Sequence, residues 1–209
     1  MTILQHLYSL PEGQALVSQI VEWKGLSLPL LRDETRLALL EELTSYSIVQ
    51  QDPVYGPYNV HQSFSSVEHF RSGSLFHEVR RELEQALHEA FSEHDPYPLP
   101  EPPTFNDLTV QRYPKGEIGI SPHRDQKYIR GTICVLVLEG WSRFCLCDDR
   151  EGINPIPIRN EPGDMILLIA PGFLGQVKQP FHFVDQITEQ RTSFALRIKQ
   201  VETVQAENG

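Results

Sequence analysis

Two histidines, an aspartate and two arginines hold the most chemical promise in this sequence. "ISPHRDQKY" (120–128) sets His123 and Asp125 one residue apart, and "PFHFVDQITEQR" (180–191) holds His182, the only histidine after His123. Two imidazoles and one carboxylate can hold a divalent metal and leave further coordination positions open. The close pair suits a strand end or loop, where neighbours turn onto one ion; His182 must arrive on another strand. "RTSFALRIK" (191–199), read as a strand, puts Thr192, Phe194, Leu196 and Ile198 on one face and Arg191, Ser193, Ala195 and Arg197 on the other. The apolar face would pack on N-terminal helices. The arginines can face water, or line a polar cavity where a planar guanidinium matches a carboxylate bidentately. With 8 histidines and 28 acidic residues among 209, about one His-x-acid triplet is expected by chance. His182, between two phenylalanines, suits a core position more readily than a ligand position.

The elements that must position these groups fall in two halves. Residues 1–100 read as mainly helical. "GQALVSQIVEW" and "DETRLALLEELTSYSIV" carry apolar residues at helical spacing, and Ser65 with Glu68 forms a candidate capping box. Phe76, Val79, Leu83, Leu87 and Phe91 then recur every three or four residues as one apolar stripe. The proline-rich "HDPYPLPEPPTF" reads as a rigid crossover. From residue 107 the texture changes to eight short strand-like runs: "LTVQRY", "EIGIS", "TICVLVLEG", "SRFCLC", "NPIPIR", "DMILLIA", "FHFV" and "RTSFALRI". Turn residues separate them, as in a sandwich or jelly roll. The expected fold is α+β: a single domain over 1–209, with a jelly-roll core over 105–199 packed by the N-terminal helices. The tail "QVETVQAENG" reads as solvated.

Taken together, "HRD" at 123–125 and "HFVDQITEQRTS" at 182–193 resemble the HxD…HxV…RxS pattern of the Fe(II)/2-oxoglutarate-dependent oxygenases. The resemblance covers about residues 105–199, and that family's double-stranded β-helix agrees with the eight strands. "QRYPKG" (111–116) and the Arg-x5-Arg of "RTSFALR" are similar to the AlkB-like branch, with Gln111 where that branch has Asn. The resemblance implies that His123, Asp125 and His182 bind Fe(II) and form the catalytic centre. It implies that Arg191 pairs with the distal carboxylate of 2-oxoglutarate, helped by Tyr113 and Ser193, with Arg197 nearer the metal and Gln111 a further contact. Oxidative decarboxylation of 2-oxoglutarate by O2 would release succinate and CO2 and oxidise a substrate C–H bond. Asp125 favours hydroxylation over halogenation, because family halogenases lack that carboxylate. Gln126, Tyr128 and Arg130, just past the HxD pair, are the first candidates for substrate contacts.

A formal net charge of −10 disfavours nucleic acid as partner, because binding the phosphate backbone rests on Lys and Arg. A small molecule or an amino-acid side chain is the expected substrate. A nucleobase, served by a basic strip from Arg112, Lys115, Arg124, Lys127 and Arg130, is the alternative. A non-catalytic cupin-type protein binding another metal is the second alternative. "MTILQHLYSLPEG" has no secretory pattern, no apolar run reaches the length of a membrane span, and no obligate protein partner is evident. Three cysteines (134, 145 and 147) are too few for a disulfide framework, so a reducing cytoplasm is expected. Cys145 and Cys147 share a strand face and read as buried thiols. Tyr55, Tyr58, Phe64 and Trp141 are aromatic candidates for covering a substrate or for the core.

Overall fold

In the computed structural model, which describes residues 5–200, helix α1 spans Gly13–Trp23, α2 Asp33–Leu43 and α3 Leu75–Ser92. The stripe on α3 sets its orientation. Phe76, Val79, Leu83, Leu87 and Phe91 are all fully buried, each contributing about 1.5–3 kcal/mol of burial. The helix is capped by Ser74, whose Oγ accepts the N–H of Phe76. Ser65 is not a cap. Ser65–Val67 is a strand paired with residues 110–112, and this tertiary pairing overrides the local Ser-x-x-Glu signal. Likewise α2 stops at Leu43 and does not run on through Val49.

The first hundred residues are also less helical than their pattern suggests. They hold five short strands: β1 (Gly25–Pro29), β2 (Val49–Gln50), β3 (Val54–Tyr55), β4 (Val60–His61) and β5 (Ser65–Val67). Runs of two to five residues carry too little alternation to declare themselves; partners elsewhere in the chain make them strands. The eight expected C-terminal strands are all present: β6 (Asp107–Tyr113), β7 (Gly116–His123), β8 (Ile129–Glu139), β9 (Arg143–Cys147), β10 (Ile156–Ile158), β11 (Asp164–Ile169), β12 (Phe181–Ile187) and β13 (Arg191–Lys199). A seven-stranded sheet runs β1-β11-β8-β13-β6-β5-β2, and a four-stranded sheet runs β10-β9-β12-β7. This is the expected jelly roll, with strands of the N-terminal half built into its larger sheet. The tail from residue 201 lies outside the described residues.

Alternation along the central strands makes two separate apolar layers. Cys134, Leu136 and Leu138 of β8, with Phe194 and Leu196 of β13, pack on the helices. Ile133, Val135, Val137 and Ala195 face the smaller sheet and meet Tyr113, Ile120, Phe144 and Val184. Ile129 begins β8, and Gly140 follows its end with φ +76°. A Cβ at Gly140 would lie 2.0 Å from the Gln190 carbonyl oxygen. Glycine alone lets the β8–β9 turn pass this close to the chain entering β13, immediately before Arg191.

Candidate active site

Strand pairing brings the two distant histidines together. In the β7–β12 ladder His182 is the direct partner of His123, and their ring centroids are 4.4 Å apart. The His123 Nδ1 lies 2.9 Å from the Ser121 carbonyl. A carbonyl can only accept, so Nδ1 carries the proton and Nε2 keeps its lone pair. On the other ring, Nδ1 has the Pro180 carbonyl nearby without a well-formed hydrogen bond, and Phe144 stacks on its face at 5.7 Å. Asp125, two residues past His123, accepts from Arg197 Nε through Oδ1 at 2.8 Å and sets Oδ2 3.7 Å from His182 Nε2.

Burial governs the charges. It pushes the His123 pKa down to about 3, aided by the neighbouring His182, and it lowers His182 as well, so both rings are neutral near pH 7. For Asp125 burial acts upward, but Arg197 and the two histidines outweigh it and hold the carboxyl below its usual range. Neutral imidazoles beside an ionised carboxylate are the protonation states that metal ligands need. Among the described residues no three His, Cys, Asp or Glu side chains already converge as a closed metal cage. Asp125 gives one oxygen to Arg197 and turns the other toward His182.

The far end of the same cleft is built by β6 and β13. Arg191 pairs in register with Tyr113, and its guanidinium lies 5.4 Å from the Tyr113 ring centroid. Its Nη1 donates to Ser193 Oγ at 3.0 Å, while Nε and Nη2 have no partner although the residue is only 1% exposed. Buried guanidinium donors without acceptors are costly and rare, and they mark a place for an anion. The Tyr113 hydroxyl, its pKa pushed up to about 12 by burial, donates to Gln111 Oε1 at 3.1 Å. Ile120, Ile133, Val135, Phe144 and Val184 line the space between the two ends.

No family model and no curated protein matches the chain. Solved structures do. A prolyl-4-hydroxylase of Pseudomonas putida superposes with a TM-score of 0.63 at 13% identity, over 91% of this chain and 100% of that one. A prolyl hydroxylase from Trichoplax adhaerens, in complex with a hypoxia inducible factor peptide fragment, gives 0.62 at 12% identity over 90% and 88%. An oxidoreductase of the 2OG-Fe(II) oxygenase family from Burkholderia pseudomallei gives 0.57 at 13% identity over 94% and 95%. This chain has the 2-oxoglutarate–Fe(II) oxygenase fold.

Within this oxygenase fold, all eight residues expected to hold metal or cosubstrate line one cleft: Gln111, Tyr113, His123, Asp125, His182, Arg191, Ser193 and Arg197. The three expected substrate contacts do not line it. Gln126 reaches Tyr55 of the β3–β4 hairpin at 3.4 Å, Tyr128 stacks under Lys199, and Arg130 bonds the Lys127 and Ile129 carbonyls. Phe64 is buried against Tyr113, whereas Trp141 lines a separate groove with Arg143 and Arg159. Phe144 was legible but unread: alternation in "RFCLC" sends Phe144 and Leu146 inward if Cys145 and Cys147 face out. No helix among the described residues is long and apolar enough to cross a membrane.

Proposed function

We propose that the chain is an Fe(II)- and 2-oxoglutarate-dependent oxygenase that hydroxylates an amino-acid side chain or small molecule, or demethylates it through hydroxylation. The observation that carries this reading is the composition of one cleft: two neutral imidazoles and a carboxylate at one end, an unsatisfied buried guanidinium at the other. His123 Nε2, Asp125 Oδ2 and His182 Nε2 would hold the iron. The donor set fits, because a divalent metal with nitrogen and oxygen ligands at about 2 Å tolerates donors 3.7 Å apart. Arg191, with Ser193 and Tyr113, would fix the distal carboxylate of 2-oxoglutarate, and Gln111 would orient the Tyr113 hydroxyl. Bound iron supplies O2 activation coupled to decarboxylation of 2-oxoglutarate to succinate and CO2. The protein's own part is to keep both imidazoles deprotonated, hold Asp125 ionised and wall the site with aliphatic side chains that exclude water.

Solved relatives in fold that include prolyl hydroxylases favour an amino-acid substrate. The nucleobase reading is less favoured: of its five basic residues, Arg112 bonds Thr192 at 3.3 Å and Arg130 bonds local carbonyls, which leaves Lys115, Arg124 and Lys127 to meet a phosphate backbone. Succinate formation from 2-oxoglutarate under air, with Fe(II) and ascorbate, tests the proposal. Turnover in the wild type that disappears in His123→Ala is the expected result. Absence of both turnover and anaerobic 2-oxoglutarate binding would return the chain to the non-catalytic cupin-type class.

A further inference from the structure

Next to the metal-ligand pair in sequence, but outside the residues that line the cleft, lies a second cationic feature that the metal and cosubstrate do not use. Arg124 stands between His123 and Asp125, and alternation at the end of β7 sends its side chain to the outer side of the smaller sheet. There its guanidinium lies 3.9 Å from the ring centroid of Phe181, the neighbour of His182. Arg150, on the loop between β9 and β10, lies 5.4 Å from the same ring and 3.9 Å from the ring of Tyr58, which is 59% exposed on the β3–β4 turn. Two guanidinium groups thus share one aromatic ring beside the ligand pair.

Neither has an acceptor. Among the described residues Arg124 and Arg150 make no ion pair and no hydrogen bond, whereas Arg36, Arg80, Arg143, Arg159 and Arg197 each meet a carboxylate. In a chain with ten more acidic than basic residues, two adjacent arginines that no carboxylate contacts are an uncommon arrangement. The two guanidinium groups lie over the rings of Phe181 and Tyr58, and their N–H groups meet no protein acceptor. That is a fixed fork for a planar anion.

The loop also limits what the anion is. Asp148, Asp149 and Glu151 flank Arg150 in sequence, so a polyanion such as a phosphate chain meets more repulsion on this loop than a single negative charge does. In an extended peptide each residue advances about 3.3–3.6 Å, so a carboxylate bound here belongs to a residue close in sequence to the one in the cleft.

We propose that Arg124 and Arg150 bind the side-chain carboxylate of an Asp or Glu in a peptide substrate, a few residues from the side chain that is oxidised. This inference rests on the oxygenase reading for its location, but its test does not. Two fluorescent pools of short peptides, identical except for Glu or Gln at the positions flanking a randomised centre, are titrated at low salt onto the full chain. The Glu pool should bind about tenfold more tightly, as expected for a charge-assisted pair, and the advantage should shrink as salt rises. In Arg124→Gln/Arg150→Gln the two pools should bind within about twofold of each other. If that variant melts early, Arg124→Lys/Arg150→Lys keeps the charge without the fork and should retain only part of the preference. Equal or absent binding of the two pools by the wild type would overturn the proposal, as would a Glu preference that survives both variants. Tighter capture of a single-stranded oligonucleotide than of the Glu pool would overturn it in favour of phosphate. Anaerobic 2-oxoglutarate binding, measured on the same wild-type sample, separates the two ideas. Its absence removes the oxygenase reading and leaves a Glu preference standing; its presence without a Glu preference removes the carboxylate receptor alone.

Discussion

Arg197 Nε donates to Asp125 Oδ1 at 2.8 Å, with both side chains largely withdrawn from water. The pair ties the C-terminal end of β13 to the residue just beyond β7, and so ties the larger sheet to the smaller one at the mouth of the cleft. Replacing Arg197 with Met would leave the carboxylate buried without its cation. We expect a stability loss of about 3–5 kcal/mol in urea unfolding of the metal-free protein. Added Fe(II) or Mn(II) should recover part of it by supplying the missing positive charge.

Arg191 should behave in the opposite way. Its Nε and Nη2 have no acceptor in the free protein, so Arg191→Met removes unsatisfied donors from the interior. The variant should unfold at the same denaturant concentration as the wild type or a higher one, while its anaerobic 2-oxoglutarate affinity falls about tenfold or more. A purely structural arginine would show the reverse: lost stability and unchanged cosubstrate binding.

The depressed His123 pKa makes a prediction for acid. The unfolded chain takes up a proton near pH 6.5 and the folded one only near pH 3, so the unfolded state binds more protons throughout that window. Stability of the metal-free protein should therefore fall as pH drops from about 6.5 toward 3, with a contribution from this ring of at most about 1.4 kcal/mol per pH unit. Chemical denaturation at a series of pH values should show a shallower slope in His123→Gln.

Gly140 tests how the approach to Arg191 is set. Gly140→Ala would meet the Gln190 carbonyl and force a positive φ on an L side chain. We expect a loss of about 1–3 kcal/mol, together with weaker 2-oxoglutarate binding, because the displaced chain leads directly into β13. Calorimetry and an anaerobic titration read the two effects separately.

Most of the site was legible because it lies on strands whose alternation is strict. Arg191, Ser193 and Arg197 sit on one face of "RTSFALRIK", and the eight C-terminal strands stand where their apolar runs end in turn residues. The convergence of His123 with His182 needed the β7–β12 register, which no local pattern specifies. β2 and β5 were illegible for a related reason, since two- and three-residue strands owe their conformation to partners elsewhere in the chain, and β3 and β4 are too short to show alternation although they pair with each other. Tyr128 and Arg130, expected as substrate contacts, lie outside the cleft lining, because proximity in sequence to the ligand pair does not carry through the turn into β8. The Arg124–Arg150 pair is joined only through Phe181, a contact between three separate segments.

The two faces of β13 give this protein an unusual kind of evolutionary freedom. Phe194 and Leu196 answer to the helices, while Arg191, Ser193 and Arg197 answer to the cleft, although all five lie in one nine-residue segment. A saturation scan at 191, 193, 194 and 196 should sort into two phenotypes by residue parity. Even positions such as 194 and 196 would lose soluble protein, and odd positions such as 191 and 193 would yield soluble protein that no longer takes up the cosubstrate. Selection can act on expression level and on chemistry through adjacent codons, with little traffic between the two.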